Sequence, residues 1–512
     1  MNPFLKHLSY GGGAAGTVLH PIVAAMMVLV VILTLVLPRK YVVAPMLFCI
    51  FLTPYGQEIM VAGVHVFVFR ILILFGWVRL VSAKLGSKTQ IFASGLNTLD
   101  KVFFLWAIFR ALAPMLLFQQ MGMVVNQVGF LWDAIGGYFL LRFLIQDDED
   151  VERIIKMLAV FAVIVGAEMV HEHFTGDDMF AMVGGIRPTL DIRNGIPRAM
   201  GPFAHALLAG TVGATLLPFF VWLWTGGKAK LLAAVGIIGC TLMASLTMCS
   251  SPVLAFAAGV GAMFLWPLRH LTRAFRWGIV FACAGLQLFM KAPFWFVISH
   301  LDVVGGSNGW YRAALINDFI VHFRSWWLIG TTANMSWGNG AMWDQCNQFV
   351  SEGETGGLLT LILFIAMICI CFSWIGTARK SVEGDRRKQW YFWLLGSVLF
   401  VHLVGFFGID YFDQTKFVWY ALLAMIVAAT APVLAAQTAH VPEPEGLRAG
   451  LAVLDPLAAW IPYRSRRRGP RESHAKLSNL GIAYGKTAWS DVRTVQTRGP
   501  NGRPRSSRFP KG

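Results

Sequence analysis

Long apolar runs recur from near one end of this sequence to residue 436, and they restrict the fold more than any other feature. Each run is about 20 residues long, the length that a helix needs to cross about 30 Å of hydrocarbon. The composition agrees, because 56% of the 512 residues are hydrophobic and only 14% are charged. A soluble domain carries about a quarter charged residues. The sequence therefore predicts an all-α, polytopic integral membrane protein.

The apolar runs predict about 12 or 13 transmembrane helices within a membrane domain of residues 1–436. The second run is short and fits either a span or a re-entrant segment, so the count and the side of the amino terminus stay open. The predicted spans lie near 17–37, 42–56, 60–82, 99–120, 126–145, 154–172, 203–225, 230–249, 252–268, 277–298, 355–376, 389–409 and 416–436.

Basic residues predict which connections face the cytoplasm. Lysines and arginines collect in alternate connections, near residues 84–88, 228–230, 269–276 and 378–389, as the positive-inside bias requires. The opposite side receives two long loops, about 171–203 and 299–353, and long loops frequently carry function.

The net charge of +16 comes largely from the carboxyl-terminal segment. Residues 437–512 lose the apolar character of the rest and carry "YRSRRRGPRES" and "NGRPRSSRFPKG". Such a composition is typical of a disordered cytoplasmic tail attracted to anionic lipid headgroups. Membrane lipids are thus the expected partners of this tail, and nucleic acid is not.

The first long loop ends in "RAMGPFAHALLAG", which places Arg198 at the mouth of a span and His205 about a turn inside it. An arginine there can bind phosphate through two parallel hydrogen bonds. The alternative is an interfacial arginine that reaches lipid headgroups, with His205 satisfied by a neighbouring helix.

The second long loop contains apolar residues at helical spacing over 313–328, headed by Arg312. This pattern predicts an amphipathic helix lying in the headgroup plane. It serves either as a tether to the bilayer or as a lid over a cavity in which Arg312 meets an anionic lipid head.

A polar segment, "MWDQCNQFVSEGETGG", leads into the span that follows the second loop. Its acids suit general-base chemistry or a helix amino terminus, where they favour the helix dipole. Asp410 and Asp413 reach the same face, where their alternatives are general-base chemistry, cation binding, capping of the last helix or pairing with Lys416. Within the spans, Arg110 and Asp133 are expected to pair, and a Cys249–Cys346 disulfide is an option.

Taken in order, these motifs resemble the O-antigen ligase and polymerase superfamily of bacterial envelope membrane proteins. The resemblance covers roughly residues 198–436. It rests on Arg198-x-x-Gly201-x-Phe203-x-His205, the Ser250-Ser251 junction, the Arg312-headed loop rising to "WWLIGT", and "CNQFVSEGETGGLL".

The resemblance implies a glycosyltransferase that moves a glycan from a polyprenyl diphosphate carrier to an acceptor hydroxyl at the periplasmic face of the inner membrane. It implies no metal and no cofactor, and as partners the carrier-linked oligosaccharide and other envelope polysaccharide assembly proteins. The residues expected to act are Arg198 and Arg312 on the diphosphate, Asp344, His205 or Glu354 in catalysis, and Asn347, Gln348, Trp337, Trp343 and Asp413 on the glycan.

One departure from the family pattern favours its polymerase-like branch. Ligases carry a His-Asn pair where this chain has Cys346-Asn347, so the histidine that serves ligases as the base is missing. An O-antigen ligase and an exporter of polysaccharide or lipid-linked glycan stay as alternatives. Transporters usually contain repeated halves with broken helices, and this sequence contains no convincing repeat.

Overall fold

In a computed structural model the chain is mostly helical, which confirms the prediction of a helical, multi-pass membrane protein. The structure describes residues 17–86, 91–92, 95–184, 191–193, 195–227, 229–301, 303, 309–338 and 345–440. Asp344, Trp343 and nearly all of the predicted tail lie outside these residues.

Sixteen α-helices and two short hairpins make up the described residues. The helices are α1 (Pro21–Val36), α2 (Arg39–Leu52), α3 (Val68–Gly86), α4 (Thr98–Phe118), α5 (Met121–Leu131), α6 (Gly137–Leu144), α7 (Asp148–Thr175), α8 (Ala206–Gly226), α9 (Lys230–Leu246), α10 (Ser250–Phe264), α11 (Thr272–Phe289), α12 (Gly309–Val321), α13 (Phe323–Trp326), α14 (Gln348–Ser381), α15 (Arg386–Gly405) and α16 (Thr415–His440). The strands are β1 (Glu58–Val61), β2 (Val64–Phe67), β3 (Asp191–Arg193) and β4 (Ile196–Arg198).

Six helical segments of the described chain are long and apolar enough to cross a membrane. They are α4, the stretch Met121–Leu144 that contains α5 and α6, α7, α8, α14 and α16. A seventh candidate joins Ser250–Phe264 to Trp266–Phe289 across an 82° bend, and α1 and α9 are apolar but shorter. The predicted total of 12 or 13 spans stays a prediction.

The predicted span 60–82 begins with a β-hairpin instead of a helix. β1 and β2 pair in antiparallel register, and the polar His65 bonds Glu58 across the strands at 2.8 Å. Ala62 and Gly63 join them with φ of 51° and 80°, the backbone of a two-residue type I′ turn. The start of that predicted span is therefore wrong, because a short apolar run does not distinguish strand from helix.

The first long loop is shorter than predicted and contains strands. α7 continues to Thr175, a 3-10 turn follows at Met179–Val183, and β3 pairs with β4. The chain is nevertheless mostly helical, in agreement with the predicted all-α class, because each hairpin has only two short strands.

Small residues set the distances at the centre of the bundle. A Cβ built on Gly239 of α9 would lie 2.4 Å from the carbonyl oxygen of Ala162 in α7, so the two backbones touch. Close approach through glycine is the usual way in which membrane helices pack. α8 packs against both helices, and 89% of its membrane-length segment is buried.

Two buried clusters of opposite charges differ from the pair that the sequence suggested. Asp133 lies in a π-helical turn, Trp132–Gly136, and accepts hydrogen bonds from Arg70 at 2.9 Å and Lys416 at 2.8 Å. Arg110 lies on the face of α4 that packs against α14, where it pairs with Glu352 at 3.3 Å. The predicted Arg110–Asp133 pair is wrong, since adjacency of spans in sequence does not fix which faces meet.

Candidate functional site

A cavity of about 630 Å³ lies between α4, α5, the first turns of α14 and the loop that precedes α16. Small-molecule sites in proteins usually have volumes of about 300–1,000 Å³. Aromatic and aliphatic side chains line it together with an unusual number of polar groups. The polar residues are Arg110, Asn126, Gln127, Thr331, Thr332, Asn334, Gln345, Gln348, Ser351, Glu352, Glu354, Thr355, Asp410, Tyr411 and Lys416.

The first turn of α14 is fixed by amide side chains. Asn347 is the N-cap, and its side-chain oxygen accepts from the backbone N–H groups of Phe349 and Val350 at 2.9 and 3.3 Å. Gln348 accepts from the Tyr411 backbone N–H at 2.8 Å and donates to Glu352 at 2.7 Å. Asn347 thus caps the helix and is not among the described residues that line the cavity, while Gln348 lines it; their contacts with glycan stay predictions.

α14 is broken at Gly357, whose φ of 78° and ψ of −178° are not helical. The break frees backbone groups, and a preceding loop segment satisfies them. Thr331 donates its N–H to the Glu354 carbonyl at 2.7 Å, and Leu358 donates to the Trp327 carbonyl at 2.8 Å. Backbone polar groups in a membrane interior need such partners. The "WWLIGT" segment is therefore held against the break, next to the cavity.

Glu354 is the predicted catalytic acid that the structure places in the cavity. Its side chain is buried, and Oε2 accepts from Asn334 Nδ2 at 2.8 Å and from Gln345 Nε2 at 2.6 Å. Oε1 is also buried and has no hydrogen-bond partner within the described ranges. A carboxylate fixed through one oxygen, with the other unpaired, has the arrangement required of a general base.

A second buried carboxylate, Glu352, lies two residues earlier in the same helix. Glu352 accepts from Trp106 Nε1 at 2.9 Å and pairs with Arg110, whose guanidinium lies 5.7 Å from the centre of the Phe130 ring. Trp106 and Gln348 donate to Glu352, and Arg110 compensates its charge, so Glu352 has a structural role. Glu354 is the acid of the two that has an oxygen available to accept a proton.

The loop before α16 contributes Asp410 and Tyr411 to the cavity, and the first turn of α16 contributes Lys416, but Asp413 does not line it. Asp413 is fully buried and accepts from the backbone N–H groups of Thr415 at 2.8 Å and Ala204 at 3.1 Å. Burial raises the pKa of the Asp413 carboxyl, against the opposing effect of these hydrogen bonds. Burial also raises the pKa of Tyr411, whose hydroxyl lies 2.9 Å from His402 Nδ1. Asp413 therefore ties the loop to the segment before α8.

Arg198 and Arg312 both lie near Cys249, at the junction of α9 and α10. Arg198 is 7% exposed, and its guanidinium donates to the Thr247 carbonyl and contacts the Cys249 sulfur. Arg312 donates to the Gly408 carbonyl at 3.4 Å, while its buried Nε has no partner in the described structure. Burial raises the pKa of the Cys249 thiol, and both arginine charges oppose that rise.

The junction of α9 and α10 is separate from the cavity, because neither Arg198 nor Arg312 is among the described residues that line the cavity. Gly408 packs directly on Ser251, since a Cβ there would lie 2.6 Å from the Ser251 Cβ, and Ser250 Oγ accepts from the Val303 N–H at 3.2 Å. Cys249 and Cys346 form no disulfide with each other in the structure. The diphosphate clamp stays a prediction.

His205 caps α8 and does not lie a turn inside it. Its Nδ1 accepts from the Leu207 N–H at 3.0 Å, as an N-cap side chain does. The expected depth is wrong because Gly201 and Pro202 delay the start of the helix to Ala206. His205 is not among the described residues that line the cavity.

The predicted amphipathic helix 313–328 is two helices, α12 and α13, separated at His322. Leu315, Phe319 and Trp326 are buried together with Cys346 and Val350 at the start of α14. Other positions, Ile320, Phe323 and Trp327, are exposed. Some apolar side chains of this helix pair therefore pack against the protein, and others are exposed on its surface.

Trp337 packs beneath this helix pair. Its ring is 4% exposed and stacks on His322, with centroids 4.6 Å apart and planes 7° apart. It belongs to the hydrophobic cluster of α12 and α13. Trp337 is not among the described residues that line the cavity, and its contact with glycan stays a prediction.

Sequence reasoning missed several cavity residues. Arg110 was assigned to a different partner, and Asn334, Gln345 and Lys416 were not proposed as site residues. Lys416 had a signal, since a charge at the mouth of a span is a functional candidate. Asn334 had none, because only the folded loop brings it to Glu354.

The sequence matches no protein-family model, and a search of curated proteins finds no significant match.

Proposed function

We propose that this protein is a polymerase-like glycosyltransferase that moves an oligosaccharide from a polyprenyl diphosphate carrier to a sugar hydroxyl. The observation that carries the proposal is the buried Glu354 in a cavity lined by amides, aromatics and charges. The proposal places the protein in the bacterial inner membrane with 12 or 13 spans, the cavity facing the periplasm and the tail 437–512 in the cytoplasm.

The proposed reaction uses Glu354 as general base. Its unpaired Oε1 takes the proton of the acceptor hydroxyl while that oxygen forms a bond to the anomeric carbon of the donor glycan. The bond from this carbon to the carrier diphosphate breaks, and the diphosphate leaves with the electron pair. Asn334 and Gln345 hold Oε2 and so fix the direction of Oε1.

Glycan binding is assigned to the cavity wall. Gln345 and Gln348 line this wall and offer amide groups to sugar hydroxyls. The volume of about 630 Å³ suits a few sugar units, and not a whole polymer.

The diphosphate needs cationic groups, because negative charge accumulates on it as it leaves. Arg312 is the best candidate among the two predicted arginines, since its Nε has no partner in the described structure and it reaches the loop that carries Asp410. Arg110 and Lys416 stand inside the cavity itself, although each already pairs with a carboxylate. Arg312→Lys is expected to impair transfer, since a point charge does not reproduce the planar fork of arginine.

The family resemblance supports the same reaction class. Three of the motifs that carry the resemblance lie close together in the structure. The Arg312 loop and "WWLIGT" both pack against the segment "CNQFVSEGETGG". With cysteine in place of the ligase histidine at 346, a carboxylate base fits the polymerase-like branch.

The test is transfer by the purified protein in lipid nanodiscs, with a radiolabelled polyprenyl diphosphate-linked oligosaccharide as donor. Wild type should lengthen the glycan and release free polyprenyl diphosphate. Glu354→Gln should lower the rate by at least about 100-fold, the usual contribution of a general base. Glu383→Gln, at an exposed acid outside the cavity, is the matched control and should keep the wild-type rate.

Two results oppose the proposal. If wild-type protein moves the donor across the bilayer without forming a glycosidic bond, the exporter alternative is correct. If Glu354→Gln transfers at the wild-type rate, Glu354 is not the base, and Asp344→Asn and His205→Gln identify the competing candidates.

A further inference from the structure

Three carboxylates cluster at the end of α7, away from the cavity. Glu168 and Glu172 lie one turn apart on the same face of α7, and Asp178 begins the 3-10 turn that follows. One carboxylate oxygen from each lies within 4.8 Å of the other two. None of the three is among the described residues that line the cavity.

All three acids are more than nine-tenths buried, with exposures of 8%, 0% and 6% in chain order. Each has one oxygen held by backbone N–H groups. Glu168 accepts from Met179 at 3.2 Å, and Asp178 from Phe180 at 2.7 Å. Glu172 accepts from both Met200 and Gly201 at 2.9 Å.

The second oxygen of each acid is unsatisfied. Glu168 Oε2, Glu172 Oε1 and Asp178 Oδ2 are buried and accept no hydrogen bond within the described part of the chain. One such oxygen is uncommon in a folded protein, because a buried polar group without a partner costs about 1–3 kcal/mol. Three on neighbouring residues point to a shared partner.

No cation of the described protein supplies that partner. Among the described residues, no lysine, arginine or histidine forms an ion pair with any of the three acids. Burial raises the pKa of Asp178, so the choice for the cluster lies between bound protons and a bound metal ion. Like charges this close do not all ionise without compensation.

We propose that Glu168, Glu172 and Asp178 bind one divalent cation of the oxygen-preferring class, with Ca²⁺ the best fit. Ca²⁺ contacts its oxygen ligands at about 2.3–2.6 Å, so two oxygens on one ion lie at most about 5 Å apart. Three oxygens within 4.8 Å fall in that range. Each acid also accepts a backbone hydrogen bond, and such contacts orient metal-binding carboxylates.

The ion has a structural role, consistent with a transfer reaction that itself uses no metal. Glu172 holds the backbone of Met200 and Gly201, two and three residues after Arg198. A Cβ on Gly201 would lie 3.2 Å from Glu168 Oε2, so this segment covers the cluster directly. A bound cation would therefore hold the end of α7, through Glu172, to the segment that carries Arg198.

The deciding measurement is metal content of the full-length protein. Wild type is purified in detergent with chelator, dialysed against Ca²⁺, Mn²⁺ or Mg²⁺ in turn, and analysed by mass spectrometry of bound metal. We expect one Ca²⁺ per chain, weaker Mg²⁺ binding, and a higher melting temperature with Ca²⁺ than with chelator. Mn²⁺ binding gives an independent count by electron paramagnetic resonance.

Variants locate the ion. Asp178→Asn and Glu168→Gln should each weaken Ca²⁺ binding at least tenfold, and Ca²⁺ should no longer raise their melting temperature. Asp177→Asn is the matched control, because Asp177 is the adjacent acid and is exposed; it should bind like wild type.

Two outcomes overturn the inference. Folded wild-type protein that holds none of the three ions at millimolar concentration means that the acids keep protons instead. Stoichiometric binding that survives in both cluster variants places the ion elsewhere. Should either variant fail to fold, the wild-type metal content alone decides. Neither result depends on glycosyl transfer.

Discussion

Replacement of Gly357 by alanine should destabilise the protein strongly, although the residue lies inside a long apolar helix. Alanine is a better helix former than glycine, so sequence reasoning alone predicts a gain in stability. The structure predicts the opposite, because Gly357 is the point at which α14 breaks, with φ of 78° and ψ of −178°.

Two costs add at this position. A side chain in this region of backbone space costs about 1–3 kcal/mol. The added Cβ would lie 2.5 Å from the Leu328 carbonyl oxygen, so the "WWLIGT" segment must move. Moving it strains the Leu358-to-Trp327 and Thr331-to-Glu354 hydrogen bonds, and a buried group left unpaired costs about 1–3 kcal/mol. The sum is roughly 2–6 kcal/mol.

Thermal and denaturant unfolding of detergent-solubilised protein measures this loss. Gly376→Ala is the control, since Gly376 lies in the same helix and a Cβ there meets nothing within 4 Å. That variant should be neutral or more stable by up to about 1 kcal/mol. Gly357→Ala should also lower transfer activity, because the shifted loop carries Thr331, which bonds the Glu354 backbone.

Equal stability of the two alanine variants would refute the reasoning. It would mean that α14 closes into a continuous helix at no cost and that the loop contacts contribute nothing to stability.

Three other perturbations test the packing, the buried charges and the helix cap. Gly239→Leu should prevent the contact with Ala162 and lower the melting temperature by many degrees, since the backbones touch there. Asp133→Asn leaves Lys416 and Arg70 without their carboxylate partner, and should lower the free energy of unfolding by about 3–5 kcal/mol, as measured with denaturant. His205→Asn keeps an N-cap side chain, so the melting temperature should stay near that of wild type, whereas His205→Ala should lose about 1 kcal/mol. If His205→Asn is stable but does not transfer glycan, His205 has a chemical role beyond capping.

The sequence by itself determined the class of protein and much of the local structure. Apolar runs of membrane length predict helices, because hydrocarbon leaves backbone groups no partner except one another. The helical spacing after Arg312 likewise predicted a helix, which the structure contains as α12 and α13. It also marked Gln348 and Glu354 as chemically suited to a site, since amides and acids at the start of an apolar span are unusual.

Only the tertiary structure decided which of those residues share a site. Three residues whose types suit catalysis or binding instead accept backbone hydrogen bonds at or just before the start of a helix: Asp413, Asn347 and His205. Glu354 differs because a loop about 20 residues earlier brings Asn334 to one of its oxygens and nothing described to the other. Likewise, Glu168, Glu172 and Asp178 gave no sequence signal, since a short acidic spacing on a helix is common. Side-chain burial and the supply of hydrogen-bond donors depend on contacts distant in sequence, and those contacts exist only after the helices pack.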